Sequence, residues 1–439
     1  MTENLTIESM AYQGAGVAHA QDGKAVFVEG AVVGDVIMPL TLQSQSSYDK
    51  CVSFELLEPS PKRMEVRCPH ANLCDGCPWQ ILAYDEQLQW KQRFVIDAYE
   101  RIGKIPNSKE LVKACVPSPL QWYYRNKVEL NAFIQEGKLG LGLRKKASHE
   151  HVRIDQCLLM QKSLKDLPKK IAGALNYSLK DAQNDLVRVA VRSSANTGAT
   201  ELALFMVPSG VNRSLLAKTL SQNAQLSSIV RAITEGEVAA RKVKQVEVLS
   251  GAGHWKEELA HNTYKISAPS FFQINSAIAE LMVAHLEGLL DKLGIDSSAS
   301  VADLYSGAGT FTLPLARRFE HVIAIESYGS SIRDLRRNLE EAGLDAEVIG
   351  GDVARELPQL EPVELAIIDP PRSGLRPEAV EALLNYQAPY LVYVSCNPAT
   401  MARDIGLLTR DTYQLVNATP FDQFPQSYHV EIMAVLKRR

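Results

Sequence analysis

Residues 300–310 have the sequence Ser-Val-Ala-Asp-Leu-Tyr-Ser-Gly-Ala-Gly-Thr, in which an apolar strand runs into a glycine-rich loop. A helical pattern follows over residues 311–319. Glycine lets the backbone approach a ligand closely, and a strand, a glycine loop and a helix in this order are typical of nucleotide-binding α/β domains. This stretch therefore predicts the fold of the C-terminal part of the chain.

The alternation of strands and helices continues to the C-terminus. Further apolar strands are predicted at residues 321–326, 346–349, 365–369 and 391–395. Apolar strands separated by helices form a parallel sheet that is covered on both faces. The last two strands are joined without room for a crossover helix and should pair antiparallel. Residues 266–439 are therefore predicted to form a Rossmann-like α/β domain.

The loop after the first strand indicates the kind of ligand. Glu326 ends the next strand 19 residues after Gly307, where a carboxylate can accept hydrogen bonds from ribose hydroxyls. The third glycine of a dinucleotide fingerprint is missing, because Phe311 and Thr312 follow Gly309. The pattern therefore favours a smaller adenosine ligand over NAD.

Two more motifs follow strands and should lie at the same edge of the sheet. Asp-Pro-Pro-Arg occupies residues 369–372, and Ser-Cys-Asn-Pro occupies residues 395–398. Ligands of open α/β sheets bind at the carboxyl ends of the strands. The thiolate of Cys396 could add there to an electrophilic carbon, although a buried structural cysteine is the commoner case. Glu431, at the start of the last strand, is either a functional carboxylate or an edge charge facing solvent.

Cysteines cluster in one short segment. Cys68, Cys74 and Cys77 lie within ten residues, and Cys157 follows far downstream. The total of 7 cysteines is odd, which argues against a disulfide framework. Four thiolates suit either zinc or an iron–sulfur cluster, and the Cys-Pro dipeptide at residue 77 slightly favours the cluster.

Length and turn signals divide the rest of the chain. At roughly 150 residues per domain, 439 residues correspond to about two to four domains. Residues 1–60 contain short strands and the hairpin dipeptide Asp22-Gly23, which predicts a small β-barrel. Residues 61–265 are predicted to form a mixed α+β central domain. No apolar stretch approaches the ~18 residues of a membrane span, so we expect a cytoplasmic protein with no membrane contact.

Charge is unevenly distributed along the chain. Residues 1–60 carry 2 Lys against 8 acidic residues, whereas residues 101–180 carry 16 Lys and Arg against 6 acidic residues. A basic face either neutralises nucleic-acid phosphates or is an ordinary solvated surface. Residues 122–127, Trp-Tyr-Tyr-Arg-Asn-Lys, are suited either to stacking on bases or to the edge of a core strand. The same two alternatives hold for Tyr12 and Phe27.

Taken together, the motifs resemble those of the bacterial RNA 5-methyluridine methyltransferases, which use S-adenosylmethionine. The resemblance spans nearly the whole chain and rests on motifs, in family order, at residues 271–275, 303–305, 369–372, 395–398 and 429–431. It implies an N-terminal TRAM domain, which is an OB-like RNA-binding barrel. It also implies a central domain with an iron–sulfur cluster and a C-terminal class I methyltransferase domain.

The resemblance also implies roles for single residues. Cys396 would be the nucleophile that adds to carbon 6 of uracil, and Glu431 would be the base that removes the proton at carbon 5. S-adenosylmethionine would be bound by Gln273, Tyr305, Glu326, Asp352 and Asp369. A [4Fe–4S] cluster would be bound by Cys68, Cys74, Cys77 and Cys157.

A TRAM domain together with a cluster resembles the family members that act on 23S ribosomal RNA. We therefore expect 23S rRNA as the partner of a monomeric enzyme. The target uridine should flip out of its stack, because a stacked base cannot reach such a site. The alternatives are a tRNA uridine-5 methyltransferase, a 5-methylcytosine RNA methyltransferase, and a non-catalytic iron–sulfur RNA-binding protein.

Overall fold

The computed structural model describes residues 3–145, 148, 150–235 and 239–439. Residues 1 and 2 of the predicted N-terminal domain, and residues 146, 147 and 149 of the basic stretch, lie outside the described residues. No helix in the described ranges is long and apolar enough to cross a membrane. The strands in these ranges form one six-stranded sheet, two seven-stranded sheets and one hairpin.

The N-terminal residues form the six-stranded sheet. Its strands are β1 (Leu5–Thr6), β2 (Ser9–Met10), β3 (Gly16–His19), β4 (Ala25–Val28), β5 (Val36–Ser44) and β6 (Tyr48–Glu58). Their order in the sheet is β1-β5-β6-β4-β3-β2. β3 and β4 pair antiparallel across Asp22-Gly23, with a φ of 83° at Gly23, so the predicted hairpin is confirmed. A closed barrel of the TRAM type stays a prediction.

The next helix packs on the C-terminal sheet. α1 (Tyr84–Ala98) continues into a π-helical turn at Tyr99–Gly103, and α2 (Ser108–Leu111) follows. Val95 and Tyr99 are buried in a core that they share with the C-terminal strands. α1 therefore covers the C-terminal sheet, although it lies within the range that we assigned to the central domain.

The central residues form a seven-stranded sheet. Its strands are β7 (Lys127–Gln135), β8 (Lys138–Arg144), β9 (His151–Arg153), β10 (Leu186–Ser193), β11 (Thr200–Met206), β12 (Ser228–Glu235) and β13 (Ala239–Gly251), in the order β13-β12-β11-β10-β7-β8-β9. Its helices are α3 (Leu167–Leu179) and α4 (Arg213–Asn223), with 3-10 turns at Lys162–Leu164 and Lys180–Asp185. Leu175 of α3 and Leu216 of α4 are buried in one core with strand residues such as Val189.

The C-terminal residues form a second seven-stranded sheet. Its strands are β16 (Ser300–Leu304), β17 (His321–Glu326), β18 (Glu347–Gly350), β19 (Leu365–Ile368), β20 (Tyr390–Ser395), β21 (Tyr413–Phe421) and β22 (Glu431–Arg438). They follow the order β18-β17-β16-β19-β20-β22-β21. The first five pair parallel, whereas β22 is antiparallel to both β20 and β21. The predicted α/β fold with a closing antiparallel pair is confirmed.

Helices and a hairpin cover both faces of this sheet. One face packs against α1, α8 (Val353–Glu356), α9 (Pro377–Tyr386) and α10 (Pro398–Leu408). The other face packs against α5 (Ser276–Leu293), α6 (Thr312–Arg318), α7 (Gly329–Ala342) and the hairpin of β14 (Trp255–Leu259) and β15 (Asn262–Ile266). A 3-10 turn at Leu357–Gln359 follows α8.

The strand order reverses between β16 and β19, because the chain first adds strands on one side of β16 and then on the other. Such a switch point opens a crevice at the carboxyl ends of the strands. We call this end of the sheet the carboxyl edge, and it comprises the residues that directly follow β16, β17, β19 and β20. Ligand binding is expected there.

Candidate active site at the carboxyl edge of the sheet

The loop after β16 has the backbone that the sequence predicts for a cofactor site. Gly307 and Gly309 have positive φ values of 58° and 99°. A Cβ at Gly309 would lie 2.6 Å from Leu313 Cδ1 and from Leu335 Cδ1, so only glycine fits. Tyr305, which directly follows the strand, has a φ of 65° although it is not a glycine. A residue held in this left-handed region is typical of a ligand-binding loop.

Glu326 is fixed at the end of the neighbouring strand. Its carboxylate accepts a hydrogen bond from the Gly307 amide at 2.9 Å and another from the Tyr328 amide at 2.6 Å. The carboxylate thus links the glycine loop to the start of α7. Its remaining acceptor capacity suits ribose hydroxyls, as the sequence pattern indicates.

Asp303 lies beneath the same loop and was not among the predicted site residues. One of its oxygens accepts a hydrogen bond from Thr312 Oγ1 at 2.5 Å, and the other is buried without a partner in the described part of the chain. Burial, and more weakly Glu326, raise the pKa of Asp303 to about 7. The sequence signal was available, because Asp303 directly precedes Leu304 and Tyr305 in the quoted motif.

Asp369 and Glu431 bring two more carboxyl groups to the carboxyl edge. Burial, with the carboxyls of Asp303 and Glu326, raises the pKa of Asp369 to about 8. Burial, and then Asp369, raise the pKa of Glu431 well above its usual value. Water solvates these carboxylates poorly and like charges oppose their ionisation, so both groups favour the neutral form.

Cys396 lies directly opposite Glu431. β20 and β22 pair antiparallel, with Ser395 beside Ile432. Cys396 follows Ser395 and Glu431 precedes Ile432, so these two residues face each other at the ends of the strands. The Asn397 side chain caps α10 by accepting from the Ala399 amide at 3.1 Å, so Cys396 lies between the strand and the helix. The arrangement presents the half-buried thiol at the carboxyl edge.

The thiol is protonated in this environment. Burial raises the pKa of Cys396 to about 12, and the carboxyls of Glu431 and Asp369 act in the same direction. The exposed guanidinium of Arg372 opposes them by favouring the thiolate. Arg372 belongs to the predicted motif at residues 369–372, but sequence reasoning gave it no role.

Gln273 and Asp352 lie in two different settings. Gln273 is buried, and its Oε1 accepts from Gln423 Nε2 at 2.8 Å, which ties the segment before α5 to the loop before Glu431. Asp352 caps α8 through the Ala354 amide and forms an ion pair with Arg376. The charge of Asp352 also acts on Tyr305, so these two predicted cofactor residues are neighbours.

Comparison with known proteins identifies the family. The family model described as tRNA (uracil-5-)-methyltransferase matches residues 83–439. The chain belongs to this family. An uncharacterized RNA methyltransferase of Halalkalibacterium halodurans is 30% identical over 449 residues, which cover 99% of this chain and 96% of the relative. Another, of Thermosynechococcus vestitus, is 31% identical over 448 residues, which cover 99% of this chain and 98% of the relative.

A solved structure matches the whole molecule. It is the Pyrococcus abyssi tRNA (uracil-54, C5)-methyltransferase in complex with S-adenosyl-L-homocysteine, at a TM-score of 0.79 and 26% identity over 99% of each chain. The prediction of an RNA uracil-5 methyltransferase is therefore confirmed at the level of the family. Uracil as the family's base goes against the cytosine alternative, and an RNA methyltransferase family goes against a non-catalytic protein.

In the present protein, the four cysteines predicted to bind a cluster are close enough to affect one another's pKa values. We call Cys68, Cys74, Cys77 and Cys157 the four-cysteine region. All four are half-buried. Burial raises the pKa of Cys77 most, and the charge of Cys157 is the second cause. Cys74 and Cys68 raise the same pKa further. No group of three or more His, Cys, Asp or Glu among the described residues is arranged to hold a metal ion.

The aromatic stretch at residues 122–127 is partly core. Tyr124 is buried and donates to the Pro425 carbonyl at 3.1 Å. Asn126 is buried and donates to the Gln273 carbonyl at 2.7 Å. The prediction that Tyr124 stacks on RNA is therefore wrong. Asn126 is likewise buried, and it links the start of β7 to the segment before α5. Trp122 stays half-buried beneath the Arg67 guanidinium, 5.3 Å from the ring centroid.

Proposed function

We propose that the protein transfers a methyl group from S-adenosylmethionine to carbon 5 of a uridine in RNA through a covalent adduct with Cys396. The observation that carries this proposal is the register of β20 and β22, which sets Cys396 opposite Glu431. A nucleophile and a base on adjacent strands can act on neighbouring carbons of one small ring. The solved relative with bound S-adenosyl-L-homocysteine supports the cofactor.

The two residues supply the two functions that uracil chemistry requires. The Cys396 thiol first loses its proton to solvent, with Arg372 favouring the thiolate. The thiolate then adds to carbon 6, and the electron pair of the ring double bond moves into an enolate that makes carbon 5 nucleophilic. Carbon 5 then takes the methyl group that S-adenosylmethionine supplies. Ionised Glu431 removes the proton from carbon 5, the double bond re-forms and the thiolate leaves. The raised pKa of Glu431 makes its ionised form a stronger base than a surface carboxylate.

The cofactor site proposed here lies at the switch point of the sheet. Glu326, already aligned by two backbone amides, would accept from the ribose hydroxyls. Asp352 and Tyr305 are neighbours on the side of β18, where they would contact the adenine. Gln273 and Asp369 would complete the set nearer Cys396. The unpartnered oxygen of Asp303 fits a site that takes up a polar ligand.

Two classes of RNA are candidate substrates. 23S rRNA follows from the sequence, where an N-terminal TRAM domain and a cluster together resemble the ribosomal enzymes. tRNA is favoured by the solved relative, a tRNA enzyme that matches 99% of this chain, including the N-terminal sheet. A six-stranded N-terminal sheet therefore does not by itself separate the two substrates. The basic stretch at residues 101–180 suits the phosphates of either RNA.

We further propose that the four-cysteine region holds a [4Fe–4S] cluster. Four half-buried thiols from two distant segments act on each other electrostatically, which supports a shared metal centre. Four thiolates suit either zinc or an iron–sulfur cluster, and the Cys-Pro dipeptide at residue 77 slightly favours the cluster. We also propose that the domains divide at residues 60 and 265 and that the protein is a cytoplasmic monomer.

The experiment that tests this function maps 5-methyluridine by mass spectrometry in 23S rRNA and in tRNA, purified separately from a strain that lacks the gene. We expect one uridine to lose its methyl group in one RNA fraction. The wild-type gene should restore it and a Cys396→Ala gene should not. Full 5-methyluridine in both fractions of the deletion strain would overturn the proposal.

A further inference from the structure

A turn of the N-terminal sheet packs against the segment that leads to Glu431. Tyr12 lies in the turn between β2 and β3, which is closed by a hydrogen bond from the Ala11 amide to the Ala15 carbonyl at 2.7 Å. The Tyr12 ring makes edge contacts with Phe94 of α1 and with Tyr428, at centroid distances of 5.6 Å and 5.9 Å. Tyr428 precedes Glu431 by three residues, so the turn packs on the segment that leads into β22.

The packing of this turn leaves little freedom. Gly14 has a φ of 92°, and a Cβ there would lie 2.8 Å from Tyr428 Cδ1. Trp79 Nε1 donates to the Gly14 carbonyl at 3.2 Å, and the Trp79 amide donates to the Gln426 carbonyl at 3.0 Å. Trp79 thus connects the turn to the loop before Glu431, and the position of Tyr12 relative to the active site is fixed.

The hydroxyl of Tyr12 lacks a hydrogen-bond partner in the described part of the chain, although it is buried. The charges that act on it include those of Arg372, Cys396 and Glu431. Burial raises the pKa of Tyr12 to about 12, so the group keeps its proton at neutral pH and can donate. A buried polar group without a partner needs an explanation, and a donor beside catalytic residues suggests a substrate partner.

We propose that the Tyr12 hydroxyl donates a hydrogen bond to O4 of the target uracil, so that the N-terminal sheet completes the active site. This inference rests on the proposed function. When the Cys396 sulfur adds to carbon 6, negative charge develops on O4, and a fixed donor stabilises it more strongly in the transition state than in the ground state. The same position in cytosine carries an amino group, which does not accept from a phenol.

The Tyr12→Phe variant tests the inference because it removes only the hydroxyl. Both ring contacts remain. Tyr48→Phe is the matched control, since Tyr48 lies in the same sheet and packs on Phe27 at a centroid distance of 5.3 Å, away from the catalytic residues. Three quantities are measured for each protein: methyl transfer, exchange of the carbon-5 hydrogen with solvent in the absence of S-adenosylmethionine, and the Tm.

We expect Tyr12→Phe to lower kcat and the exchange rate by about 10²-fold, because removal of one such donor has effects of that order. Its Tm should equal or exceed that of the wild type, since the lost hydroxyl forms no hydrogen bond with any described residue. Tyr48→Phe should leave both rates unchanged. On transcripts made with 4-thiouridine, whose sulfur is a weaker acceptor, the difference between wild type and Tyr12→Phe should shrink.

Unchanged rates in Tyr12→Phe, with an active wild type, would overturn the inference. A marked fall in its Tm would do the same, because the hydroxyl would then have a partner in the protein. A 10²-fold loss that is equally large on 4-thiouridine would remove O4 as the acceptor. A wild-type protein that neither exchanges the hydrogen nor transfers methyl groups to RNA would overturn the proposed function instead.

Discussion

The surroundings of Cys396 and the four-cysteine region are built differently. Cys396 follows the six-residue strand β20, and the ladder to β22 sets its distance from Glu431. Cys68, Cys74 and Cys77 lie between β6 and α1, a described segment without helix or strand. The part around the cysteines is tied to its surroundings by isolated bridges, such as the one between Cys74 and Lys145, while Trp79 adds hydrogen bonds to Gly14 and Gln426.

The difference teaches what each site requires. A thiol at the end of a hydrogen-bonded ladder is positioned by the backbone before any ligand arrives, which suits a nucleophile. Thiols in an irregular segment would gain order from the proposed cluster, because metal binding and local folding are coupled. Loss of a ligand cysteine should therefore disturb structure, whereas loss of Cys396 should disturb chemistry alone.

The largest expected effect comes from Cys396→Ala. Methyl transfer should fall by about 10⁴-fold or more, as for other enzymes that lose their nucleophile. Binding of S-adenosylmethionine, measured by calorimetry, and the Tm should change little, because the ladder does not depend on the thiol. Activity within a few-fold of the wild type would show that Cys396 is not the nucleophile.

Glu431→Gln should arrest the reaction after methyl transfer. Turnover should fall by roughly 10² to 10⁴-fold, the range for loss of a general base, and a covalent protein–RNA adduct should accumulate. Denaturing gels would show this adduct as a slow band that Cys396→Ala does not form. If Glu431→Gln turns over normally and yields no adduct, Glu431 is not the base.

Cys157→Ser should affect the four-cysteine region and spare the carboxyl edge. After anaerobic purification, the variant should contain far less iron than the roughly four irons per chain expected for the wild type. Its affinity for RNA should fall by about tenfold or more, while its affinity for S-adenosylmethionine stays near the wild-type value. Cys51→Ser is the control, since Cys51 Sγ donates to the Ser53 carbonyl and a serine can do the same. Stoichiometric zinc in the wild-type protein, or full RNA affinity without iron, would contradict this view of the region.

Asp369→Asn should produce the smallest effect, on stability. The pKa of Asp369 is raised to about 8 in the folded protein, above the usual value of 3.8. Its neutral carboxyl therefore contributes stability that is fully present below about pH 4 and is lost as the pH rises through 8. The variant should have the higher Tm at pH 8, by a few degrees, with a smaller difference at pH 5.

The control for this change is Asp345→Asn, on the exposed surface. Its Tm should follow the wild type at both pH values. If Asp369→Asn also follows the wild type at pH 8, the carboxyls at the carboxyl edge do not oppose each other's ionisation.

The sequence by itself determined the elements and much of the chemistry. Apolar runs predicted β16, β17, β19 and β20, and Asp22-Gly23 predicted the hairpin, because strand and turn preferences depend on near neighbours. The motif around Cys396 could be placed at a strand end for the same reason. The resemblance then assigned roles that composition and spacing alone had left open.

Only the tertiary structure decided which distant residues meet. It set Glu431 opposite Cys396, packed α1 on the C-terminal sheet and buried Tyr124, which local pattern left equally suited to RNA or to the core. It also brought Tyr12 against Tyr428. Such contacts depend on which apolar surfaces bury each other across hundreds of residues. The sequence around each residue carries no record of that choice.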